Sequence, residues 1–450
     1  MMRQYQALIR HEGNDALFRA IDMSVVSTLE NVPLHIHVEG LRGTGKTTIM
    51  RAARSVLPPI TRVKGCLYNC DSERPHCPDH RGLDRKTLKE LGTEACPMPF
   101  LEISASVKMG TAVGSLDLAR ITNRSQPDAA LLPGTIPQAH RGILFIDEIN
   151  RLAETAPEIA DVLLGVMGTK PGIIKVEETG LPPVTMPITV SVWAASNPDE
   201  DPGPLEDIRK QLSDRFDLGV GTQRPSDAGC VLDILRDCQA AAPGEHSRKA
   251  QEFLAALAFL DEVHLPWAIR NVIAGLYVEF QLESLRAVEA LQACSRLTAA
   301  LERSREVRLD HLAAVVPLVL KHRVDLSAME KIVERLLESK DDNQDVAGAK
   351  PGPQGARAKS QDKEAKPAGS LHRMVTDLRN KLFPGSNGEG QGQPGAGNRR
   401  SSPGNDHPGM SGMGSSSASV PLTCPPLLAC PLAKLRSDEV LRGEEELMSR

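Results

Sequence analysis

The stretch Gly40-Leu-Arg-Gly-Thr-Gly-Lys-Thr47 decides the fold of this sequence. It fits the pattern GxxxxGK[ST], in which glycines let backbone N–H groups wrap around a row of phosphates. Apolar residues alternate with histidines from Leu34 to Val38 and predict a strand before the motif, and the spacing of Met50, Ala53 and Val56 predicts a helix after it. A strand, a glycine-rich loop and a helix in this order indicate a nucleotide site, because the phosphates then meet the positive end of the helix dipole.

Seven residues in this stretch and directly after it are predicted to bind ATP. The backbone near the glycines and the lysine ammonium suit the β- and γ-phosphates, and the hydroxyl after the lysine suits Mg²⁺. The predicted ATP-binding residues are Gly40, Gly43, Thr44, Gly45, Lys46, Thr47 and Thr48, with Thr47 also a ligand of Mg²⁺. A chance glycine-rich turn is the alternative, but the strand and helix on either side favour a functional phosphate loop.

Two further apolar strands end in polar residues. Gly142 to Ile146 runs into Asp147 and Glu148, and the strand predicted from Ile188 to Ala195 is followed by Asn197. Strands that alternate with helices predict a parallel sheet covered by helices on both faces, with ligands bound where the strands end. We therefore predict that Asp147 holds Mg²⁺ through water and that Glu148 is the general base for the attacking water. An acidic pair alone is also typical of a solvated turn, and the phosphate loop upstream favours the catalytic interpretation.

Three more polar side chains are candidates for catalysis. Asn197 could orient the lytic water, although an Asn-Pro turn accounts for the same residue structurally. Arg215 lies where the chain leaves the predicted sheet and could reach a neighbouring subunit's γ-phosphate as an arginine finger. Arg286 could close onto the phosphates from a helix of a second domain. A solvated surface position is the alternative for both arginines.

The 450 residues divide by composition into three parts. Residues 1–226 carry the alternation of strands and helices and form the predicted α/β domain, with a cysteine-rich insertion at about 64–97. Residues 227–339 lack strand signals and are rich in Leu, Ala, Glu and Arg, which predicts an all-helical domain. Residues 340–450 are rich in Gly, Pro, Ser and charge, which predicts a disordered low-complexity tail. Apolar residues at helical spacing between 371 and 382 predict a short helix that either docks on a partner or has no role.

Charge and hydropathy exclude several classes of protein. The chain has 53 basic and 58 acidic residues and a formal net charge of −5, so it has no global basic field to hold nucleic acid. Its apolar runs fall short of the ~20 residues that cross a bilayer, and its N-terminus does not look like a secretory signal. We therefore predict a cytoplasmic protein without a membrane span.

A cluster of soft ligands lies inside the predicted insertion. Cys66-x3-Cys70-x6-Cys77-x2-His80 brings together three thiols and an imidazole, and Cys96 follows. Such groups could hold a tetrahedral Zn²⁺ and staple a segment that has little core of its own. Two alternatives stay open, since the thiols could be free of metal or could hold an Fe–S cluster.

Together and in this order, the phosphate loop (Walker A), the acidic strand (Walker B) and the candidate sensors resemble an AAA+ ATPase. The segments between them are similar to the small ATPase subunit of magnesium chelatase over about residues 16–325. The segments that carry this resemblance are Gly114-Ser-Leu-Asp-Leu118, Leu132-Pro-Gly134, Ala139-His-Arg-Gly142, Asn197-Pro198, Arg209-Lys-Gln-Leu-Ser-Asp-Arg215-Phe216, Glu283-Ser-Leu-Arg286-Ala287 and Leu318-Val-Leu-Lys-His-Arg323. Walker motifs are generic, whereas their combination with the last segment is specific.

The resemblance implies a P-loop AAA+ sheet sandwiched by helices, followed by a helical lid domain, and a hexameric ring that uses ATP and Mg²⁺. It also implies a second AAA+ subunit with an integrin-like domain, and a large porphyrin-binding subunit that the motor drives to insert Mg²⁺. The roles carried over are phosphate and Mg²⁺ contacts for Lys46 and Thr47, metal and water for Asp147 and Glu148, the first sensor for Asn197, the finger for Arg215 and the second sensor for Arg286.

Two segments depart from the family pattern. Ser104–Val113 stands where chelatase subunits carry an Ala-Thr-Glu-Asp-Arg type sequence, and Val176–Gly180 replaces an Arg-Glu-Gly. These departures concern the porphyrin substrate more than the ATPase. A MoxR-like chaperone that matures a metalloenzyme with an integrin-like partner is therefore the alternative function.

Two other functions are disfavoured. A DNA motor would need a basic hairpin, but the hairpin predicted between Gly172 and Pro187 sets Lys175 against Glu177 and Glu178, which repel phosphates. An inactive ring subunit is opposed by the intact lysine and acidic pair of the two Walker motifs.

Overall fold

A computed structural model describes residues 4–116, 131–177, 183–236 and 245–347 of the chain. The predicted tail from 348 onward, including the short helix between 371 and 382, lies outside these ranges. None of the described helices combines the length and apolar character needed to span a bilayer.

Within the described residues, the strands form one five-stranded central sheet and three two-stranded antiparallel pairs. They are β1 (Ile36–Glu39), β2 (Pro59–Val63), β3 (Thr93–Pro97), β4 (Phe100–Ile103), β5 (Gly114–Leu116), β6 (Leu131–Pro133), β7 (Gly142–Asp147), β8 (Gly172–Val176), β9 (Val184–Ile188), β10 (Val190–Ser196) and β11 (Leu218–Gly221). The central sheet has the order β11-β1-β10-β7-β4, and all its pairs are parallel. The antiparallel pairs are β2 with β3, β5 with β6, and β8 with β9.

The helices flank this sheet and then continue as a helical array. They are α1 (Asp15–Leu29), α2 (Lys46–Ala52), α3 (Arg85–Leu91), α4 (Met109–Val113), α5 (Thr135–Gln138), α6 (Ile149–Thr155), α7 (Pro157–Val166), α8 (Leu205–Ser213), α9 (Ala228–Arg236), α10 (Glu245–Leu260), α11 (Trp267–Glu279), α12 (Leu285–Leu301), α13 (Leu309–Leu320) and α14 (Leu326–Ala347).

Alternate side chains of the central strands fill two hydrophobic cores, one on each face of the sheet. Ile143, Phe145, Trp193 and Ala195 belong to the core shared with α1, α2 and the helical array, and Leu144, Ile146, Val192 and Ala194 belong to the core shared with α6, α7 and α8. The indole Nε1 of Trp193 donates to Ser24 Oγ of α1 at 2.8 Å, which satisfies the polar atom of this fully buried side chain.

This architecture confirms the predicted fold class of a parallel sheet covered by helices and followed by a helical region. The predicted helix from Ala16 to Leu29 is confirmed as α1, and the strand predicted from Leu34 begins two residues later, at Ile36. The helix α14 runs to Ala347, past the predicted limit at 339, because charged residues that indicated a tail are also compatible with a helix. The insertion consists of the β2–β3 hairpin, α3 and a stretch at 64–84 without helix or strand.

Candidate functional site

The phosphate loop connects β1 to α2 and depends on glycine at three positions. Gly43 and Gly45 have φ of 78° and 83°, in the left-handed region that side chains disfavour. Gly40 lies so close to Thr222 that a Cβ atom there would be 2.4 Å from its Oγ1. Thr44 Oγ1 and Thr222 Oγ1 lie 3.0 Å apart and share a hydrogen bond, which joins the loop to the residue that follows β11. The loop is therefore held against Thr222 at both Gly40 and Thr44.

A cavity of about 240 Å³ opens at the ends of β1, β7 and β10. It is lined by loop residues 42–48, by Asp147 and Glu148, and by residues 195–197 with Glu200. Most of the residues predicted to bind ATP and Mg²⁺, and the predicted base and first sensor, thus lie around one space. Gly40 does not line this cavity, but its carbonyl accepts a hydrogen bond from Lys46.

The Lys46 side chain is buried within this loop. Its Nζ donates to the carbonyls of Leu41, at 2.9 Å, and of Gly40. Burial lowers the pKa of this ammonium, and the carboxylates of Asp147 and Glu200 act in the opposite direction. An ammonium held at the glycine loop, on the wall of the cavity, is suited to bind phosphate oxygens.

Thr47 and Asp147 form the candidate metal site. Thr47 Oγ1 donates to Asp147 Oδ1 at 3.3 Å, and Arg51 Nη2 lies 3.3 Å from Asp147 Oδ2. Burial raises the pKa of Asp147, while the Arg51 charge and the Thr47 hydrogen bond oppose this rise. A hydroxyl and a carboxylate beside a phosphate cavity fit Mg²⁺, which prefers oxygen ligands completed by phosphates and water.

Glu148 occupies a strained position at the start of α6. Its φ of 54° and ψ of 53° are left-handed, which is uncommon for a residue with a side chain and frequent at functional sites. The side chain is 49% exposed, and its Oε2 lies 3.1 Å from Arg151 Nη1. A solvent-accessible carboxylate at the cavity wall can accept a proton from water.

Asn197 is both part of a turn and part of the cavity wall. Its Oδ1 accepts from the Asp199 N–H at 3.4 Å, its Nδ2 donates to Glu200, and its carbonyl accepts from Asn150 Nδ2 at 3.4 Å. The amide is therefore held at the end of β10, and Glu200 is itself paired with Arg42. The sequence left two interpretations of Asn197, a turn residue and a residue that orients the lytic water, and this position is compatible with both.

The two candidate arginines both lie away from this cavity. Arg286 donates to the carbonyls of Gly168 at 2.5 Å and Met167 at 3.4 Å. Burial lowers the pKa of Arg215, and the positive charge of Arg286 lowers it further. Arg215 precedes β11, whereas the cavity lies where the parallel strands end. Neither arginine lines the cavity of its own chain.

Several site residues were not predicted from the sequence. Arg51 forms ion pairs with both Glu102 and Asp147. It lies four residues after Thr47 on the same helix face, and this spacing could have indicated from the sequence that the two side chains share one site. Arg42 and Glu200 close the cavity through an ion pair between distant loops, for which the sequence contains no signal. Arg323 is nearly buried and donates to the carbonyl of Phe216 at 2.7 Å, which ties the helical region to the segment around Arg215.

The cysteine-rich insertion contains a second candidate site. One ligand atom from each of Cys66, Cys70, Cys77 and His80 lies within 4.8 Å of all the others, whereas Cys96 is outside this group. Hydrogen bonds from Cys70 and Cys77 lower the pKa of the Cys66 thiol, and these same contacts raise the pKa of the two donors. The four predicted ligands therefore meet at one point.

Comparison with known proteins places these features in a family. The AAA lid domain family matches residues 270–345. The chain is 30% identical over 324 residues to the magnesium-chelatase 38 kDa subunit of Acidiphilium rubrum, and this alignment covers 69% of this chain and 89% of that protein. It is 31% identical over 298 residues to the magnesium-chelatase 38 kDa subunit of Cereibacter sphaeroides, and this alignment covers 64% of this chain and 83% of that protein.

A solved structure is similar over most of its length. A chain from the complex between subunits BchI and BchD of magnesium chelatase, based on a cryo-EM reconstruction, is 27% identical with a TM-score of 0.39. The match covers 74% of this chain and 99% of that one.

Proposed function

The chain belongs to the family of the 38 kDa subunit of magnesium chelatase and is an AAA+ ATPase, and from this premise we propose that it hydrolyses ATP as the ring motor of a chelatase-type complex. The observation that carries the proposal is the cavity shared by Lys46, Thr47, Asp147, Glu148 and Asn197. A site that only bound nucleotide would not need an accessible carboxylate beside its phosphate loop.

Each of these residues has its own proposed role in ATP hydrolysis. Lys46 binds the β- and γ-phosphates, and Thr47 and Asp147 hold Mg²⁺. The ion neutralises phosphate charge when it is bound. Glu148 accepts the proton of the attacking water, and the Asn197 amide orients that water. The pairing of Glu200 with Arg42 and Asn197 keeps the amide at the cavity wall.

We further propose that the site is completed by a neighbouring subunit. Neither Arg215 nor Arg286 lines the cavity of its own chain, and Arg215 lies before β11, at the end of the sheet opposite the cavity, so both are suited to another copy's phosphates rather than their own. An arginine supplied in trans stabilises the charge of the phosphoryl transition state. A closed ring gives every cavity such a neighbour, and the family resemblance makes a hexamer the proposed size of this ring.

The proposed cargo of the motor is Mg²⁺ delivered to a porphyrin. The support is the similarity to two magnesium-chelatase 38 kDa subunits over most of their lengths. Insertion would require a second AAA+ subunit with an integrin-like domain and a large porphyrin-binding subunit, in the cytoplasm. A DNA motor stays disfavoured, because Lys175 of the β8–β9 hairpin is paired with Glu177.

A MoxR-like chaperone is the second candidate, favoured by one segment. Residues 104–109 line a separate cavity of about 710 Å³ together with Glu148 and Arg151, and they lack the acidic residues that the chelatase pattern carries there. A partner that binds this cavity could differ from the chelatase partner while the motor stayed the same.

The partners that bind to a variant with unhydrolysed ATP would distinguish the chelatase motor from the MoxR-like chaperone. Glu148→Gln protein, held with ATP and Mg²⁺ in an extract of its own cells, should retain a second AAA+ subunit and a large porphyrin-binding subunit, with Lys46→Ala as the control. The retained subunits, mixed with wild-type protein, ATP, Mg²⁺ and protoporphyrin, should yield the magnesium porphyrin. Retention of an integrin-like protein with a metalloenzyme instead, and no metal insertion, would support the chaperone.

A further inference from the structure

We propose that Cys66, Cys70, Cys77 and His80 bind one structural Zn²⁺, which anchors the cysteine-rich insertion to the segment that leads into the acidic strand. The four ligand atoms lie within 4.8 Å of one another. A tetrahedral zinc with Zn–S bonds of about 2.3 Å and a Zn–N bond of about 2.0 Å needs ligand atoms slightly less than 4 Å apart. The cluster thus needs only a small contraction.

The composition and burial of the cluster favour a structural site. The three thiols are buried and His80 is half-buried, so four protein ligands fill the tetrahedron. A catalytic zinc keeps one position open for water or substrate, and this cluster offers none. Three thiols and an imidazole also select zinc over Mg²⁺, which prefers oxygen ligands.

Backbone amides around the sulfurs distinguish this cluster from ordinary buried cysteines. The N–H of Cys70 donates to Cys66 Sγ, and the N–H groups of His76 and Cys77 donate to Cys70 Sγ, each at 3.4 Å. Several amides directed at two sulfurs stabilise negative charge there. Metal-bound thiolates carry such charge, whereas metal-free apolar cysteines have no need of it.

A histidine pair supports the cluster from outside. The distance between His76 Nδ1 and Cys70 Sγ is 3.2 Å, and the His76 ring packs against the His140 ring with centroids 3.7 Å apart and planes tilted by 31°. His140 Nδ1 in turn accepts from the Thr189 N–H at 3.0 Å. Outer partners of this kind orient metal ligands, and their loss typically weakens binding about 10- to 100-fold. His76 is therefore a supporting residue and His80 the fourth ligand.

The insertion has little else to hold its shape. Residues 64–84 form no helix or strand, and the hydrophobic side chains they bury are Cys66, Tyr68, Cys70 and Cys77. Since three of these four are the proposed ligands, a bound metal would take the place of a hydrophobic core.

The ordered insertion would then hold the segment before β7. Asn69 Nδ2 donates to the Gln138 carbonyl at 2.6 Å, and Tyr68 Oη donates to the Leu131 carbonyl at 3.1 Å. Arg141 donates to the Thr61 carbonyl at 2.6 Å, and its other amine lies 4.0 Å from Asp71. All these contacts lie before Gly142, at the opposite end of β7 from Asp147, so zinc loss should loosen the insertion without dismantling the phosphate cavity.

Metal content of the full chain tests the proposal directly. Protein purified without a polyhistidine tag or added metal should contain one zinc per chain by elemental analysis. Cys66→Ser and Cys77→Ser should lose it, while Cys96→Ser, in the same insertion but outside the cluster, should keep it. Protein without stoichiometric metal, iron with acid-labile sulfide, or zinc retained by Cys66→Ser would each overturn the proposal.

Cobalt replacement tests the ligand set even where a serine variant fails to fold. Wild-type protein stripped of metal and loaded with Co²⁺ should show the visible bands of tetrahedral cobalt and a thiolate charge-transfer band. His80→Asn should change these bands, whereas His76→Asn should keep them and bind about 10-fold more weakly or worse. The pattern of octahedral cobalt, or a change caused by His76→Asn alone, would contradict the assignment.

Two controls separate this proposal from the proposed ATPase. Lys46→Ala should abolish ATP hydrolysis and retain zinc, so a failure of the motor leaves the metal result intact. Removal of zinc should expose new protease sites between residues 64 and 92, and ATP should not restore protection there. Unchanged proteolysis after zinc removal would contradict the anchoring role.

Discussion

Thr47 Oγ1 lies 3.3 Å from Asp147 Oδ1, although 100 residues separate them in the chain. The contact joins the first turn of α2 to the end of β7, so the phosphate loop and the acidic strand form one site. Its geometry follows from the parallel sheet, in which β1 and β7 flank β10 and end at the same edge. The proposed chemistry depends on this proximity.

Lys46→Ala should lower ATP hydrolysis at least about 100-fold, because the variant lacks the ammonium that meets the transferred phosphate. Steady-state phosphate release with saturating Mg²⁺ measures the effect. Lys89→Ala, at an exposed position on α3, is the matched control and should keep full activity. Hydrolysis by Lys46→Ala at the wild-type rate would remove the lysine from the mechanism.

Glu148→Gln should bind ATP normally and hydrolyse it at least about 100-fold more slowly, since the amide cannot accept a proton from water. Nucleotide retained after gel filtration should be ATP rather than ADP. Glu154→Gln, an exposed acid on the same helix, should behave like wild type. Unchanged turnover in Glu148→Gln would exclude Glu148 as the base.

The Arg51→Met variant should shift the acid limb of ATP hydrolysis to higher pH. Burial already raises the pKa of Asp147, and Arg51 opposes this rise, so loss of the guanidinium raises that pKa further. Asp147 binds Mg²⁺ only when ionised, and it would lose its charge earlier as pH falls. A pH–rate profile measures the shift, with exposed Arg54→Met as the control. A shift to lower pH would contradict the account.

Lys170→Met should destabilise the fold by about 1–3 kcal/mol, because it leaves the buried Asp217 carboxylate without its cation. Lys170 Nζ lies 2.9 Å from Asp217 Oδ1, and the His35 N–H donates to Oδ2 at 2.8 Å. Burial acts to raise the pKa of Asp217, yet Lys170 and His35 hold it below its usual range. Urea unfolding at neutral pH measures the loss.

The pH dependence of that loss follows from the lowered pKa. A carboxyl whose pKa is lower in the folded state stabilises the fold above its unfolded pKa, and this stability disappears as pH falls through the folded value. The difference between wild type and Lys170→Met should therefore shrink in acid. Lys175→Met, which removes an exposed cation, is the control and should change stability little at any pH. A constant difference down to strongly acidic pH would contradict the role of the pair.

Local patterns were sufficient to predict the phosphate loop and the acidic strand. The motif around Lys46 and the continuous apolar run before Asp147 reflect constraints that act within a few residues of the chain. The four metal-ligand candidates of the insertion were likewise predicted from spacing, and they meet in space. Such features need no knowledge of the rest of the fold.

Other elements depend on contacts that the sequence does not display. The edge strand β4 is four residues long and follows Pro97 and Pro99, so its own sequence gives little indication of a strand. Its extended conformation depends on its pairing with β7. The edge strand β11 contains Gly219, where a Cβ atom would lie 2.8 Å from His322 Nδ1, so packing against the helical region selects a residue with low strand propensity. The contacts of Arg286 with the carbonyls of Met167 and Gly168 likewise arise from tertiary packing alone.

Complementation between two inactive variants tests the shared site most directly. Arg215→Ala should lower hydrolysis about 1,000-fold, as expected for a lost arginine finger, and Lys46→Ala is inactive for a separate reason. In mixed rings, an Arg215→Ala subunit keeps an intact phosphate cavity, and a Lys46→Ala neighbour supplies the missing guanidinium. Arg224→Ala, at an exposed position after β11, should remain active and serves as the control.

The measurement is phosphate release from an equimolar mixture of Arg215→Ala and Lys46→Ala protein, compared with each variant alone. The account predicts that the mixture recovers a substantial fraction of wild-type hydrolysis, and that an Arg286→Ala mixture behaves in the same way. A mixture as inactive as its components, under conditions in which the two variants assemble together, would contradict a nucleotide site built from two adjacent chains.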